Sequence, residues 1–228
     1  MQKKLDLNLK EYYSKRAKEY DAVYRRNIPV RIKEQEYIRK EIARLFKDKY
    51  VLELACGTGY WTKYLSGSAK KVLASDISIE MLEIASKRIP DESFQFLVGD
   101  AHNPPISVPR FTGGMSNFWF SHIPKKQITK FFLSFHSRVN LGSPIMFVDA
   151  VYRQELGGKL IKKKGSQDTW KERTLDSGEK FDILKNYYTK EELIDIFSSY
   201  SKNISVSYLT HFWIVQYKLS TYKKILWP

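Results

Sequence analysis

Two hydrophobic rhythms divide this chain. Residues 8–47 carry apolar positions at helical spacing. Tyr13, Ala17, Tyr20 and Tyr24 lie four, three and four apart and predict one helical face. Pro29 interrupts that pattern, and Ile38, Ile42, Leu45 and Phe46 repeat it in a second predicted helix. From residue 49 onward, short apolar runs alternate with amphipathic segments. VLEL at 51–54, KVLAS at 71–75 and FQFLV at 94–98 read as strands, as do GGMSNFWF at 113–120 and PIMFVDAVY at 144–152. Between them, residues 60–66 begin a helix. Ile79, Leu82, Ala85 and Ile89 form another, capped by Ser78, and a third runs from Pro124 to about Arg138. Residues 153–186 are polar, contain Gly157, Gly158, Gly165 and Gly178, and read as a loop-rich insertion. Thr189 and Glu192 have capping-box spacing and open a last helix. SVSYL and HFWIVQYKL then read as two closing strands, an antiparallel pair.

Strands alternating with helices imply an α/β fold, a parallel sheet covered on both faces. The N-terminal helices are expected over the carboxyl edge of the sheet, where open sheets of this kind bind ligands. At 228 residues with 43% hydrophobic content, the chain suits a single domain with a small insertion. Its expected parts are an N-terminal helical lid (1–48), a cofactor-binding core (49–151), a substrate-side insertion (152–188), and a C-terminal helix with closing strands (189–228). No apolar run approaches the roughly 18–20 residues of a membrane span. The N-terminal MQKKLDLNLK lacks the apolar centre of a signal peptide, and Cys56 is the only cysteine, which together fit a cytoplasmic protein. Nothing in the sequence sets the oligomeric state.

The net charge of +14 raises the question of nucleic acid. The excess is dispersed, however, over the first 50 residues, KKQITK at 125–130, KKK at 162–164 and the C-terminus, with no recognisable nucleic-acid module. It therefore reads as a mostly solvated surface.

The most informative stretch is YVLELACGTG at 50–59, where a strand breaks into two glycines. A phosphate-binding loop requires GxxxxGK followed by Ser or Thr, which is absent. A dinucleotide fingerprint requires a third glycine, and Thr62 follows Gly57 and Gly59 instead. That weakens the dinucleotide reading, and the third reading of such a turn is S-adenosylmethionine. VLELACGTG, Asp76 after the second strand, GDA at 99–101 and FTGGMSNFWFSHIP at 111–124 stand in order over a chain that resembles, from about residue 10 to 220, the class I S-adenosylmethionine-dependent methyltransferases. Thr112 departs from the pattern, standing where the family usually has Asp after Phe111.

The resemblance implies a Rossmann-like, seven-stranded, mostly parallel sheet with helices on both faces, its last strand antiparallel, beneath an N-terminal helical lid. It implies S-adenosyl-L-methionine as cofactor and S-adenosyl-L-homocysteine as product. Gly57 and Gly59, flanked by Ala55 and Thr58, would let the cofactor lie on the backbone. Glu53 would act near its amino group, and Asp76 would accept from both ribose hydroxyls. Ile77 and Met81 would pack on adenine or ribose, and Gly99, Asp100 and Ala101 would meet the adenine. Asn117 would reach the methionine end, with Tyr13, Arg16 and Tyr20 in the lid. Each position also has a plainer reading: a tight turn for the glycines, a helix cap for Asp76, core packing for the tyrosines.

The acceptor is expected between the lid, the 118–124 loop and the insertion. His122 is the candidate general base, because its ordinary pKa lies near neutrality. Trp119, Phe120, His122, Tyr152 and Arg153 are candidate acceptor-side residues, in a zone that also holds Trp170, Arg173, Tyr187 and Tyr188. Aromatic residues there suggest a planar or apolar small molecule, and basic ones an acidic group on it. An RNA methyltransferase and a cofactor-binding scaffold without turnover are the alternatives.

Overall fold

The computed structural model describes residues 2–106, 111–157 and 159–221; Gly158 and the last seven residues of the closing segment lie outside them. Two helices, α1 (Gln2–Arg16) and α2 (Pro29–Leu45), precede the first strand. Five parallel strands follow: β1 (Tyr50–Leu54), β2 (Lys71–Asp76), β3 (Phe94–Val98), β4 (Gly113–Asn117) and β5 (Pro144–Ala150). Helices α3 (Ile79–Arg88) and α4 (Ile128–His136) lie between them in sequence. A single turn, α5 (Gln154–Gly157), leads into β6 (Ile161–Lys162), β7 (Thr169–Thr174) and β8 (Lys180–Leu184). The chain closes with α6 (Lys190–Ser198), β9 (Ile204–Tyr208) and β10 (Phe212–Lys218).

The main sheet has seven strands in the order β3-β2-β1-β4-β5-β10-β9, with β10 antiparallel to both β5 and β9. This is the expected Rossmann-like arrangement, including the antiparallel last strand. The reversal between β1 and β4 leaves a crevice at the carboxyl ends of the strands. Because both faces are covered, β1, β4 and β5 are buried almost throughout, and alternate residues enter two separate cores. Leu52, Leu54 and Phe147 join Phe131, Phe132, Phe135, Phe197 and Trp213 on one face. Val51, Met115 and Val148 join Ile38, Ile42 and Phe46 of α2 on the other. Gly113 and Gly114 let these layers approach: a Cβ on Gly114 would stand 2.8 Å from both Ile145 Cδ1 and Phe135 Cζ.

Four local expectations need correction. The helix expected at 60–66 is a single 3-10 segment, Thr62–Leu65, because the stretch between the left-handed Gly59 and Gly67 is too short for regular turns. The face formed by Tyr13, Ala17, Tyr20 and Tyr24 is not one helix: α1 ends at Arg16, and Tyr20–Tyr24 is a 3-10 segment. Pro29 starts α2 rather than breaking a helix, as its missing N–H costs nothing in a first turn. β4 stops at Asn117, before the expected Phe120, since Phe118 adopts φ 60°.

The insertion departs most from the loop-rich reading. β6, β7 and β8 form an antiparallel sheet, its β7–β8 turn closed by Gly178 N–H donating to the Leu175 carbonyl at 2.8 Å. Alternation puts Phe181 and Ile183 on one face and Trp170 and Leu184 on the other, all four buried. Helix α1 docks on this sheet. Asn8 Nδ2 donates to the Asp182 carbonyl at 2.9 Å, Lys15 pairs with Glu179 at 2.7 Å, and the Tyr12 and Phe181 rings stand 5.5 Å apart. The N-terminal helix and the insertion therefore form one roof. Among the described residues, no helix is long and apolar enough to cross a membrane.

Because no slack exists between the layers, Gly114→Ala should destabilise the protein by about 1–3 kcal/mol in urea unfolding, the range for overpacking a close-packed core.

Candidate functional site

The crevice holds a cavity with about 630 Å³ of empty space. Its floor is built from the carboxyl ends of β1, β2, β3 and β4 and the turns that follow them. Ala55, Gly57, Asp76, Ile77, Met81, Gly99, Asp100, Ala101 and Asn117 line it, with Tyr13 and Tyr20 above. Ala55, Gly57 and Gly59 all have positive φ, at 56°, 56° and 70°. This left-handed run turns the backbone sharply out of β1. Buried Asp76 fixes the run in place: one carboxylate oxygen accepts from the Gly57 N–H at 2.8 Å and the other from the Ser78 N–H at 3.0 Å. Burial raises the Asp76 pKa, while those same amide bonds oppose the shift. Asp100 is held in the same way, accepting from the His102 N–H at 2.8 Å. The buried Asn117 side chain has neither its oxygen nor its nitrogen partnered by protein.

A second triad anchors the roof. Buried Asp21, in the Tyr20–Tyr24 segment, accepts from Thr58 Oγ1 at 2.6 Å and pairs with Arg88 of α3. Arg88 also donates to the Thr58 carbonyl at 2.8 Å. The segment after α1 is thereby tied to the glycine turn.

Beyond Tyr13, Tyr20, Phe118 and His122, which face both spaces, lies a second cavity with about 980 Å³ of empty space. It runs under α1 and the insertion sheet, and Arg16, Arg153, Lys171, Arg173, Lys185 and Tyr187 are among its walls. His122 is buried in the partition. Its Nδ1 lies 2.7 Å from the Leu184 carbonyl, which can only accept, so Nδ1 carries the proton. Nε2, 2.8 Å from the Tyr13 hydroxyl, is then the acceptor and Tyr13 the donor. Burial, reinforced by Lys185, pushes the imidazole down to about 3, so the ring is neutral at physiological pH.

Comparison with known proteins gives this architecture its family. A model described as a methyltransferase domain matches residues 51–142. The structure of DhpI in a SAM–HEP complex superposes with a TM-score of 0.75 at 28% identity, covering 93% of this chain and 96% of that one. The DhpI–SAH complex gives 0.74 at 26% identity, covering 95% and 97%. This chain is a class I S-adenosylmethionine-dependent methyltransferase. The methyltransferase is also 25% identical over 189 residues to the uncharacterized methyltransferase OB1106 of Oceanobacillus iheyensis, covering 80% of this chain and 83% of that protein. It is 43% identical over 83 residues to the uncharacterized protein MJ1252 of Methanocaldococcus jannaschii. That match spans 36% of the methyltransferase and just 30% of MJ1252.

The structure sorts the residues expected from sequence. Eleven of the fifteen cofactor-side candidates line the first cavity. Arg16 lines the second cavity instead, its guanidinium over the Tyr12 and Tyr20 rings at 5.5 and 5.2 Å. Thr58 is taken up by Asp21 and Arg88. Gly59 faces α3: a Cβ there would meet the Ala85 Cβ at 3.0 Å, so this glycine serves packing against a helix. Glu53 is sealed beneath the floor at 1% exposure. On the acceptor side, Arg153 and His122 reach the second cavity, and Trp119 faces the first. Phe120 faces neither: it is fully buried against Phe132, Phe147, Tyr188 and Phe197. Tyr152 stands behind the wall, its ring 5.2 Å from that of Tyr187. Sequence reasoning missed the Asp21–Arg88 pair, Phe118, Lys171 and Lys185. Alternation in TWKERT, which turns Lys171 and Arg173 to the same side, was the available signal for the first of the two lysines.

Burial pushes the Glu53 carboxyl up to about 8, with Thr62 acting against the shift and the Asp76 charge with it. One Glu53 oxygen has no protein partner. The folded protein thus holds a proton that the unfolded chain releases near its ordinary pKa of about 4.3. This stabilisation is complete below that value and is lost as pH rises through about 8. Thermal melts of the cofactor-free methyltransferase and of Glu53→Gln should diverge between about pH 5 and 8, with the wild type losing stability relative to the variant.

Proposed function

We propose that this methyltransferase transfers the methyl group of S-adenosylmethionine to a small-molecule acceptor held in the second cavity. The observation that carries this reading is the shared partition. Tyr13, Tyr20, Phe118 and His122 face both spaces, so a group in one lies next to a group in the other. The second space has the dimensions of a small-molecule pocket and is roofed by α1 and the insertion. A polymer would need an open groove.

The first cavity fits the cofactor on its own chemistry. Asp76 and Asp100 present carboxylates at its rim, Gly57 leaves backbone uncovered, Ile77 and Met81 provide apolar walls, and Asn117 offers an unpartnered amide. We assign Asp76 to the ribose hydroxyls, Asp100 with Ala101 to the adenine edge, and Asn117 to the methionine end. When bound, the cofactor supplies a methyl already activated on a sulfonium. The protein's remaining tasks are alignment and exclusion of water. Tyr13 and His122 serve the first, as a neutral hydrogen-bonded pair that sets the partition. As a base, His122 would first have to give up the Tyr13 hydrogen bond. The roof, fastened through Asp21, serves the second.

Two measurements test this reading. Asp76→Ala should weaken calorimetric binding of S-adenosylhomocysteine by about 2–3 kcal/mol, since charge-assisted partners of the ribose are lost; unchanged affinity would remove Asp76 from the site. Incubation with labelled cofactor and fractionated cell extract should place label in metabolites. Label in RNA, with RNA binding that persists at physiological salt, would instead establish the nucleic-acid alternative.

A further inference from the structure

The walls of the second cavity are charged with one sign. Among the described residues that line it are five arginines and two lysines and no Asp or Glu. Most of these cations have other engagements. Arg31 lies over the Phe212 ring at 4.5 Å, Arg153 donates to the Thr210 carbonyl at 2.9 Å, and Lys185 pairs with buried Asp149 at 3.1 Å. Lys171 differs. It is 1% exposed, and its ammonium sits 5.1 Å from the Tyr152 and Tyr187 ring centroids. Among the described residues, no carboxylate lies within ion-pair distance of it. Burial above all, and then the positive charges of Arg173 and Lys185, push its ammonium down to about 8. Arg173, on the same strand, likewise has no ion pair among the described residues. A buried cation facing other cations is costly unless something neutralises it. The rings beside it offset part of that cost but carry no negative charge. A cavity of this kind rejects cationic acceptors and leaves a neutral one facing uncompensated charge.

We propose that the acceptor is a small oxyanion whose negative group docks on Lys171 and Arg173, with Arg16 and Lys185 beside them. This rests on the small-molecule reading above. It assigns Lys171 and Arg173, which lie on β7 of the insertion, as the residues that determine acceptor class. The aromatic partition of Tyr13, Tyr20 and Phe118 then receives the rest of the molecule.

The test is calorimetry on the full chain saturated with S-adenosylhomocysteine, titrated with sulfate and with acetate against chloride at matched ionic strength. Saturable binding of either anion is expected, and Lys171→Gln and Arg173→Gln should each weaken it about ten-fold. The affinity of both variants for S-adenosylhomocysteine should stay within about two-fold of wild type, which verifies the cofactor side. The thermal midpoint of Lys171→Gln should equal or exceed that of wild type, because the substitution relieves repulsion with Arg173 and Lys185. No saturation by either anion up to about 50 mM overturns the proposal, as does unchanged anion affinity in both variants. In either of those cases, continued methylation of uncharged metabolites would show that the small-molecule reading survives. Displacement of the bound anion by an RNA oligonucleotide at physiological salt would overturn both.

Discussion

The carboxyl end of the main sheet depends on one buried carboxylate. Asp76 receives the N–H of Gly57, in the turn after β1, and the N–H of Ser78, the cap of α3. It thereby joins the ends of two neighbouring strands and the start of a helix in a single hydrogen-bonded unit. The left-handed turn at Ala55, Gly57 and Gly59 would otherwise expose amide groups to an apolar interior, where an unmet donor is expensive. Everything above the sheet is referenced to this turn. Gly59 seats α3 against it, Thr58 reaches Asp21, and Arg88 returns from α3 to close the loop. Residues that line the first cavity and side chains that hold the roof thus share one short stretch of backbone.

That shared stretch was the most legible part of the chain. Strand runs of β-branched and aliphatic residues, glycines at their ends and acids at fixed positions all leave marks in sequence, and the sheet order follows from them through the family resemblance. What did not show has physical reasons. Ala55 and Phe118 adopt positive φ although neither residue type favours it, so the sharp exit from β4 has no compositional sign. The 3-10 segments at Tyr20–Tyr24 and Thr62–Leu65 keep an apolar spacing close to that of an α-helix while replacing its hydrogen bonds with the tighter 3-10 kind. Their aromatic residues make tertiary contacts instead, such as the Tyr24 and Tyr60 rings stacked at 4.1 Å. Ring-on-ring packing between distant segments overrides local propensity and cannot be seen in either segment alone. In the insertion, lysines and glycines masked a period-2 pattern whose apolar half is sparse.

The two cavities have opposed characters, and the partition makes them compatible. On one side are carboxylates held by backbone amides, on the other guanidinium and ammonium groups. Tyr13 and His122 stand between as a neutral pair, in which neither ring carries charge near neutral pH: burial raises the tyrosine pKa and lowers that of the histidine. An ionisable partition would couple the two sides electrostatically. A neutral one keeps the hydrogen-bond geometry constant while charge is arranged on either flank.

The docking of α1 on the insertion has a consequence for how such an enzyme diversifies. The roof of the second cavity comes from two stretches more than a hundred residues apart, joined by Asn8 to Asp182, Lys15 to Glu179 and Tyr12 to Phe181. Grafting a foreign insertion onto this core would strand three complementary positions on α1. Any change of this roof is therefore a two-part affair: the first helix and the insertion sheet must drift together, while the strand ends beneath them can stay still.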